Sequence, residues 1–159
     1  MAQAQRQGLF ALYGAESVLL LHSLRAQRPV VGLETLDTQL AALMARSDAE
    51  AAVMVADGLA ELQRPQAVAA LERLARAWER NDLAELEAYP RWCDCVNTPS
   101  EREAFARLGE GRNPGMADAI ERLHADVSVF AAVGALHLIG PQGLPALLLA
   151  RGFNVTRLF

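Results

Sequence analysis

The stretch "VSVFAAVGALHLIGP", residues 127–141, decides how the chain is read. Val127 to Val133 is a short run rich in β-branched and apolar residues, of a length that suits a buried strand. Gly134 ends it, His137 follows three residues on, and Gly140-Pro141 turns the chain. Two readings of His137 are open: a core residue with a satisfied ring, or a reagent delivered to the end of a strand. Upstream, "PVVGLE" at residues 29–34 has the same layout, an apolar pair, a glycine, a spacer and then a titratable group, Glu34. The closing "FNVTRL" alternates Phe153, Val155 and Arg157 against Asn154, Thr156 and Leu158, the pattern of a half-buried strand. These three runs predict a small three-stranded sheet, with strands near 29–33, 127–133 and 153–158, in an α+β fold that is otherwise mostly helical.

The helices are marked by their caps. Residues 15–27 read as a helix stopped by Pro29, and Thr35 caps another carrying Leu36, Leu40, Leu43 and Met44 on one face. Ser47 with Glu50 opens a helix holding Met54, Val55, Leu59 and Leu62, which Pro65 ends or kinks. A further helix over about 66–80 places Val68, Leu71, Leu74, Ala75 and Trp78 on one side. Asp82 and Glu85 repeat the cap before a short helix that ends at Pro90. Consecutive helices with short connections predict a central antiparallel helical insert. Thr98-Pro99-Ser100-Glu101 starts a helix over 99–108, Asn113-Pro114 one over 114–125 with Met116, Ile120 and Leu123 inward, and Gly143 to Arg151 forms the last. No repeat or low-complexity linker divides the chain, so residues 1–159 read as a single domain.

Composition excludes several functions. All fifteen basic residues are arginine, which removes Schiff-base lysine chemistry and the P-loop lysine. The net charge of −4 and the scattered arginines leave no basic stripe for nucleic acid. No apolar run reaches the roughly 18–20 residues of a membrane span, and the polar opening lacks the order of a signal peptide, so the chain as given reads as soluble. The only cysteines form Cys93-Asp94-Cys95. Two thiols cannot build a four-thiolate zinc site and a bridge across one residue would be strained, so they read as ordinary thiols.

The two strand ends carry the candidate chemistry. Strands separated by helical crossovers tend to run parallel, which would bring Glu34 and His137 to one sheet edge. Such a pair can hold a divalent metal or act as a general base with its orienting carboxylate. The bland readings are a core histidine and a glutamate that favours the start of the next helix. His22 and His124 read as structural.

The run "GRNPGMADAIERL…VFAAVGALHLIGPQGLPALLLARGFNV" resembles the closing segment of the TraB/GumN family, which includes the TraB/PrgY pheromone-shutdown proteins and the Tiki metalloproteases. Arg112-Asn113, the glycine-x-x-histidine of Gly134 to His137, and the glycine-rich helix after it carry the match. "YGAESVLLLHSLRAQRPVVGLETLDTQL" is similar to the family segment ending in a glutamate-threonine pair. The family pattern has two glycine-x-x-histidine motifs and this sequence holds only the second, so the resemblance implies the C-terminal half of a family member. It further implies a bacterial parent of the cell envelope or periplasm, with Glu34, Arg112 and His137 as this chain's share of a Tiki-like peptidase site. There His137 and Glu34 would hold a divalent metal, Mn or Co; Arg112 would stabilise an oxyanion, and Gly134 would allow close approach. Peptide or protein substrates follow, and this chain alone is expected to be inactive without the other motif. Two further readings stay open: a non-catalytic peptide-binding module like the pheromone-shutdown members, and a helical scaffold. An exposed apolar flank would then recruit the missing N-terminal half or a second copy, a homodimer bringing two His137 side chains to one site.

Overall fold

The computed structural model of the chain describes residues 5, 8, 10–63 and 66–158. Nine α-helices are present among them: α1 (Ala15–Arg25), α2 (Leu36–Leu43), α3 (Asp48–Gln63), α4 (Gln66–Glu79), α5 (Leu83–Glu87), α6 (Tyr89–Trp92), α7 (Pro99–Leu108), α8 (Asn113–His124) and α9 (Leu144–Ala150). Single 3₁₀ turns lie at Ala11–Tyr13, Glu110–Arg112 and Ala135–His137. The expected break at Pro65 falls outside the described residues.

The caps work as their sequences require. Thr98 accepts a hydrogen bond from Glu101 N at 3.1 Å, while the Glu101 carboxylate accepts one from Thr98 N at 2.8 Å, satisfying two of the donors that start α7. Thr35 accepts from Thr38 N at 3.2 Å and Asp82 from Glu85 N at 3.0 Å, starting α2 and α5. Arg107 on α7 donates to Ala42 O at 3.0 Å and to Glu50 at 2.8 Å, tying α7 to the end of α2 and the start of α3.

The core is small and sits under α8 and α9. Met116, Ala117 and Ile120 share the inner stripe of α8 and close against Leu144 at the start of α9. Leu33, Val133, Leu147 and Leu148 pack around them. Burying each large member contributes about 1.5–3 kcal/mol. Gly143 is the residue that permits this junction, since a Cβ there would collide with the Ile139 carbonyl. Arg151, beyond α9, pairs with Asp118 on α8 and holds the two helices together.

Three expectations need correction. The three-stranded sheet does not form: among the described residues there is no strand, and runs 29–33, 127–133 and 153–158 carry no regular secondary structure, with bends at Leu33 and Val127. β-branched composition reports fitness for a pleated surface, and a strand needs a neighbour to supply its hydrogen bonds. Here no run forms a ladder with another, and Val30 and Val31 stay 59 % exposed. The stripe of α2 is likewise outward, with Leu36, Leu40, Leu43 and Met44 exposed and only Ala42 buried. Cys93 and Cys95, read as ordinary thiols, are paired as a disulfide, and Asp94 between them adopts a φ of 55° that lets the two Cα atoms approach to 5.1 Å.

Candidate functional site

Where a sheet edge was expected, two 3₁₀ turns and a loop bring Arg112, His137 and Glu34 together. Arg112 closes the 3₁₀ turn between α7 and α8, and its Nε donates to Leu108 O at 2.9 Å, which aims the guanidinium away from α7. One terminal nitrogen donates to Glu34 Oε2 at 3.0 Å, and the other lies 2.9 Å from His137 Nε2. Glu34 reaches inward because Gly32 folds the chain tightly before it; a Cβ at Gly32 would stand 2.9 Å from Glu34 O. His137 ends the turn Ala135–His137, its own N–H donating to Gly134 O at 2.9 Å.

Asn113 completes the array, and sequence reasoning missed it. It is fully buried in the first turn of α8. The Asn-Pro pair read as a helix start, yet its side chain makes no cap there and turns to the histidine instead. Only its place beside Arg112 hinted at a role.

The proton positions follow from the two ends of this chain of contacts. The Gln142 carbonyl can only accept, so the Asn113 amide presents its nitrogen to it, at 2.6 Å, and its Oδ1 to His137. That Oδ1 lies 2.6 Å from Nδ1, so Nδ1 carries the proton. Arginine can only donate, so Nε2 must hold a lone pair toward Arg112. His137 is therefore the neutral Nδ1–H tautomer. Burial first, and the Arg112 charge second, lower its pKa from the ordinary 6.5, against an opposing pull from Glu34.

Glu34 is nearly buried, its side chain 6 % exposed, and Arg112 is its sole ionic partner among the described residues. The second carboxylate oxygen, Oε1, is buried with no hydrogen-bond partner there. A buried pair of this kind is costly to break because one charge is left uncompensated.

A divalent ion can be tested against this geometry. Asn113 orients His137 as metal-ligating histidines are oriented, with Nε2 free of a proton, and Glu34 Oε1 is an oxygen without a partner. Against that, the Arg112 guanidinium occupies Nε2 and Glu34 Oε2 together. His137 and Glu34 supply two donors where catalytic zinc sites use three protein ligands. Among the described residues no third histidine, cysteine or carboxylate joins them. As arranged, the residues do not fit a divalent ion: Arg112 is the cation of this site.

His137 is also among the residues that line a groove of about 860 Å³. Leu71, Leu74, Ala75 and Trp78 line one wall, so most of the α4 stripe faces the groove. Tyr89, Phe105 and Leu108 line it too, with Leu136, Ile139 and Pro141 from the His137 loop and Glu87 and Glu110. Tyr89 stacks on Phe105 at 6.0 Å, which joins α6 to α7 along this wall. The Gly134 contribution differs from expectation, since a Cβ there would meet only His137 Cδ2 at 3.7 Å, an ordinary contact. His22 and His124 stay outside the site; His22 is exposed and His124 lies against Phe153, ring centres 5.4 Å apart.

A model of the TraB/PrgY/gumN family matches residues 1–157, nearly the whole chain, and the protein belongs to that family. None of the curated proteins and none of the solved structures compared with the chain matches it. No helix among the described residues is long and apolar enough to cross a membrane.

Proposed function

We propose that the chain is a peptide-binding module of the TraB/PrgY/gumN family, with the groove taking apolar side chains and His137 as one of its polar lining groups. The mostly apolar groove of about 860 Å³ with a neutral histidine in its lining carries this reading. Such sites pair a mostly apolar lining with a few placed polar groups. Glu87 and Glu110 on the lining favour peptides with a basic residue or a free amino terminus next to the apolar segment. Trp78 lies in the groove and reports occupancy directly. Titration with apolar-basic peptides should shift its fluorescence, and Leu74→Glu should weaken binding by about tenfold or more. A Trp78 signal unmoved by every peptide at about millimolar concentration would end the proposal.

A hydrolytic reading is favoured by one observation, the fixed Nδ1–H tautomer, which presents Nε2 as a base. If a substrate carbonyl draws Arg112 off Nε2, that nitrogen takes a proton from water as its oxygen attacks the carbonyl carbon and Arg112 donates to the oxyanion; the imidazolium then returns the proton to the amide nitrogen as the C–N bond breaks, releasing acid and amine. Peptide cleavage followed by mass spectrometry, with chelator and then with Mn or Co, separates the readings. Cleavage lost in His137→Ala supports hydrolysis, metal-dependent cleavage supports the Tiki-like form of it, and binding without cleavage leaves the module reading.

A further inference from the structure

The Cys93–Cys95 bridge lies outside the site and does little for the fold. It closes the chain across a sequence separation of 2, and a cross-link stabilises chiefly through the loop it closes, so a loop this short gains little. Both cysteines sit in the one connection between α6 and α7, so the bridge ties no distant parts together. Closure also goes with Asp94 at a φ of 55°, a left-handed conformation that residues with a side chain adopt at a cost.

The two sulfurs stand in different surroundings. Cys93 is buried, 3 % exposed, whereas Cys95 is half-buried and follows the exposed Asp94. A thiolate from outside therefore meets Cys95 first. The Cys95 backbone N–H donates to Cys93 Sγ at 3.2 Å, so a donor already stands where negative charge collects when Cys93 leaves. An accessible sulfur to attack and a supported sulfur to depart are what directed thiol–disulfide exchange requires.

We propose that Cys93–Cys95 is a thiol–disulfide exchange centre that oxidises a dithiol carried on a polypeptide, with Cys95 the sulfur attacked and Cys93 the leaving sulfur. One thiolate of the dithiol attacks Cys95 Sγ, the bond between Cys95 and Cys93 breaks, and Cys93 leaves as a thiolate that takes up a proton. The second thiolate then attacks the partner's own sulfur in the mixed disulfide, and Cys95 leaves and is protonated in turn. Two electrons and two protons pass from the dithiol to the bridge. The partner ends as a disulfide and the chain as two thiols. The chain holds no third cysteine, so the mixed disulfide is resolved by the partner's second thiol or by return of Cys93.

Air-free mixing of the oxidised chain with a reduced synthetic peptide holding two cysteines, followed by acid quench, alkylation and mass spectrometry, tests this. One peptide disulfide should appear for each chain reduced, with Cys93 and Cys95 alkylated together, and the double variant Cys93→Ser/Cys95→Ser should produce none. Oxidised glutathione tells the two sulfurs apart. Cys93→Ser should take up one glutathione on Cys95, while Cys95→Ser should react at Cys93 about tenfold more slowly, a difference that guanidinium should erase because it comes from the burial of Cys93. Both single variants should keep the helical circular dichroism of the wild type. An oxidised chain that leaves the peptide reduced, wild-type cysteines that stay open to alkylation after treatment with oxidised glutathione, or equal glutathione uptake by the two folded single variants would overturn the proposal.

Discussion

The α8–α9 junction and the extended runs are built from the same kinds of residue and meet opposite fates. Met116, Ala117 and Leu144 are exposed by 5 %, 0 % and 2 %, whereas Val30, Val127 and Phe130 are exposed by 59 %, 61 % and 81 %. The difference lies in what neighbours them. At the junction, Gly143 leaves room for the Ile139 carbonyl, and Leu144 at the start of α9 closes on the inner stripe of α8 after the long connection 125–143. The runs at 29–33 and 127–133, the second of them inside that connection, face no opposing helix stripe, and only their last residues, Leu33 and Val133, pack on the core. Hydrophobicity sets how much surface needs covering; an opposing apolar face, as α8 offers Leu144, sets whether the chain covers it by itself.

This contrast can be broken by substitution. The largest effect is expected where a buried charge is exposed to its own field. Arg112→Ala leaves Glu34 unpaired and should destabilise by about 3–5 kcal/mol in denaturant unfolding. Glu34→Gln added to it should recover a good part of that loss, which a purely steric role for Arg112 would not allow. Leu144→Ala should cost about 2–5 kcal/mol, while Phe130→Ala should change the monomer by less than about 0.5 kcal/mol. Comparable losses at the two positions would erase the distinction between covered and uncovered regions.

Much of the helical part was legible in the sequence because caps are local. Thr35, Asp82 and the Thr98–Glu101 box each bond within one turn, so spacing alone located them. The sheet was misread because strand pairing is not local: Val127–Val133 has strand composition but meets no ladder partner. The site was half legible. Glu34 and His137 were named from their places after glycines, and Arg112 through its resemblance to the family motif. Asn113 was missed because an Asn-Pro at a helix start is explained by the helix alone. The glycines also traded roles, since Gly32 and Gly143 need their lack of a side chain and Gly134 does not.

That exchange gives a sharper comparison. Gly143→Ala must displace the Ile139 carbonyl and should destabilise by about 1–3 kcal/mol, whereas Gly134→Ala should stay within about 0.5 kcal/mol. Equal thermal shifts in the two variants would contradict the packing described at α9.

A smaller effect should follow pH. The folded-state pKa of His137 lies below the ordinary 6.5, so the folded chain keeps its ring neutral where the unfolded chain takes up a proton. Stability should therefore be full above 6.5, fall as pH drops through that value, and stop falling for this group below the folded pKa. The dependence should be reduced in His137→Gln, measured as Tm between about pH 7.5 and pH 5.

The central claim is the directed chain from the Gln142 carbonyl through Asn113 and His137 to Arg112 and Glu34. Ring-nitrogen NMR of His137, with the chain labelled at histidine and titrated with acid, reads it directly. The account predicts a neutral ring near neutral pH with the proton on Nδ1, an unprotonated Nε2, and a pKa below 6.5 that rises in Arg112→Met. A proton on Nε2, or a pKa at or above 6.5 that Arg112→Met leaves unmoved, would contradict it.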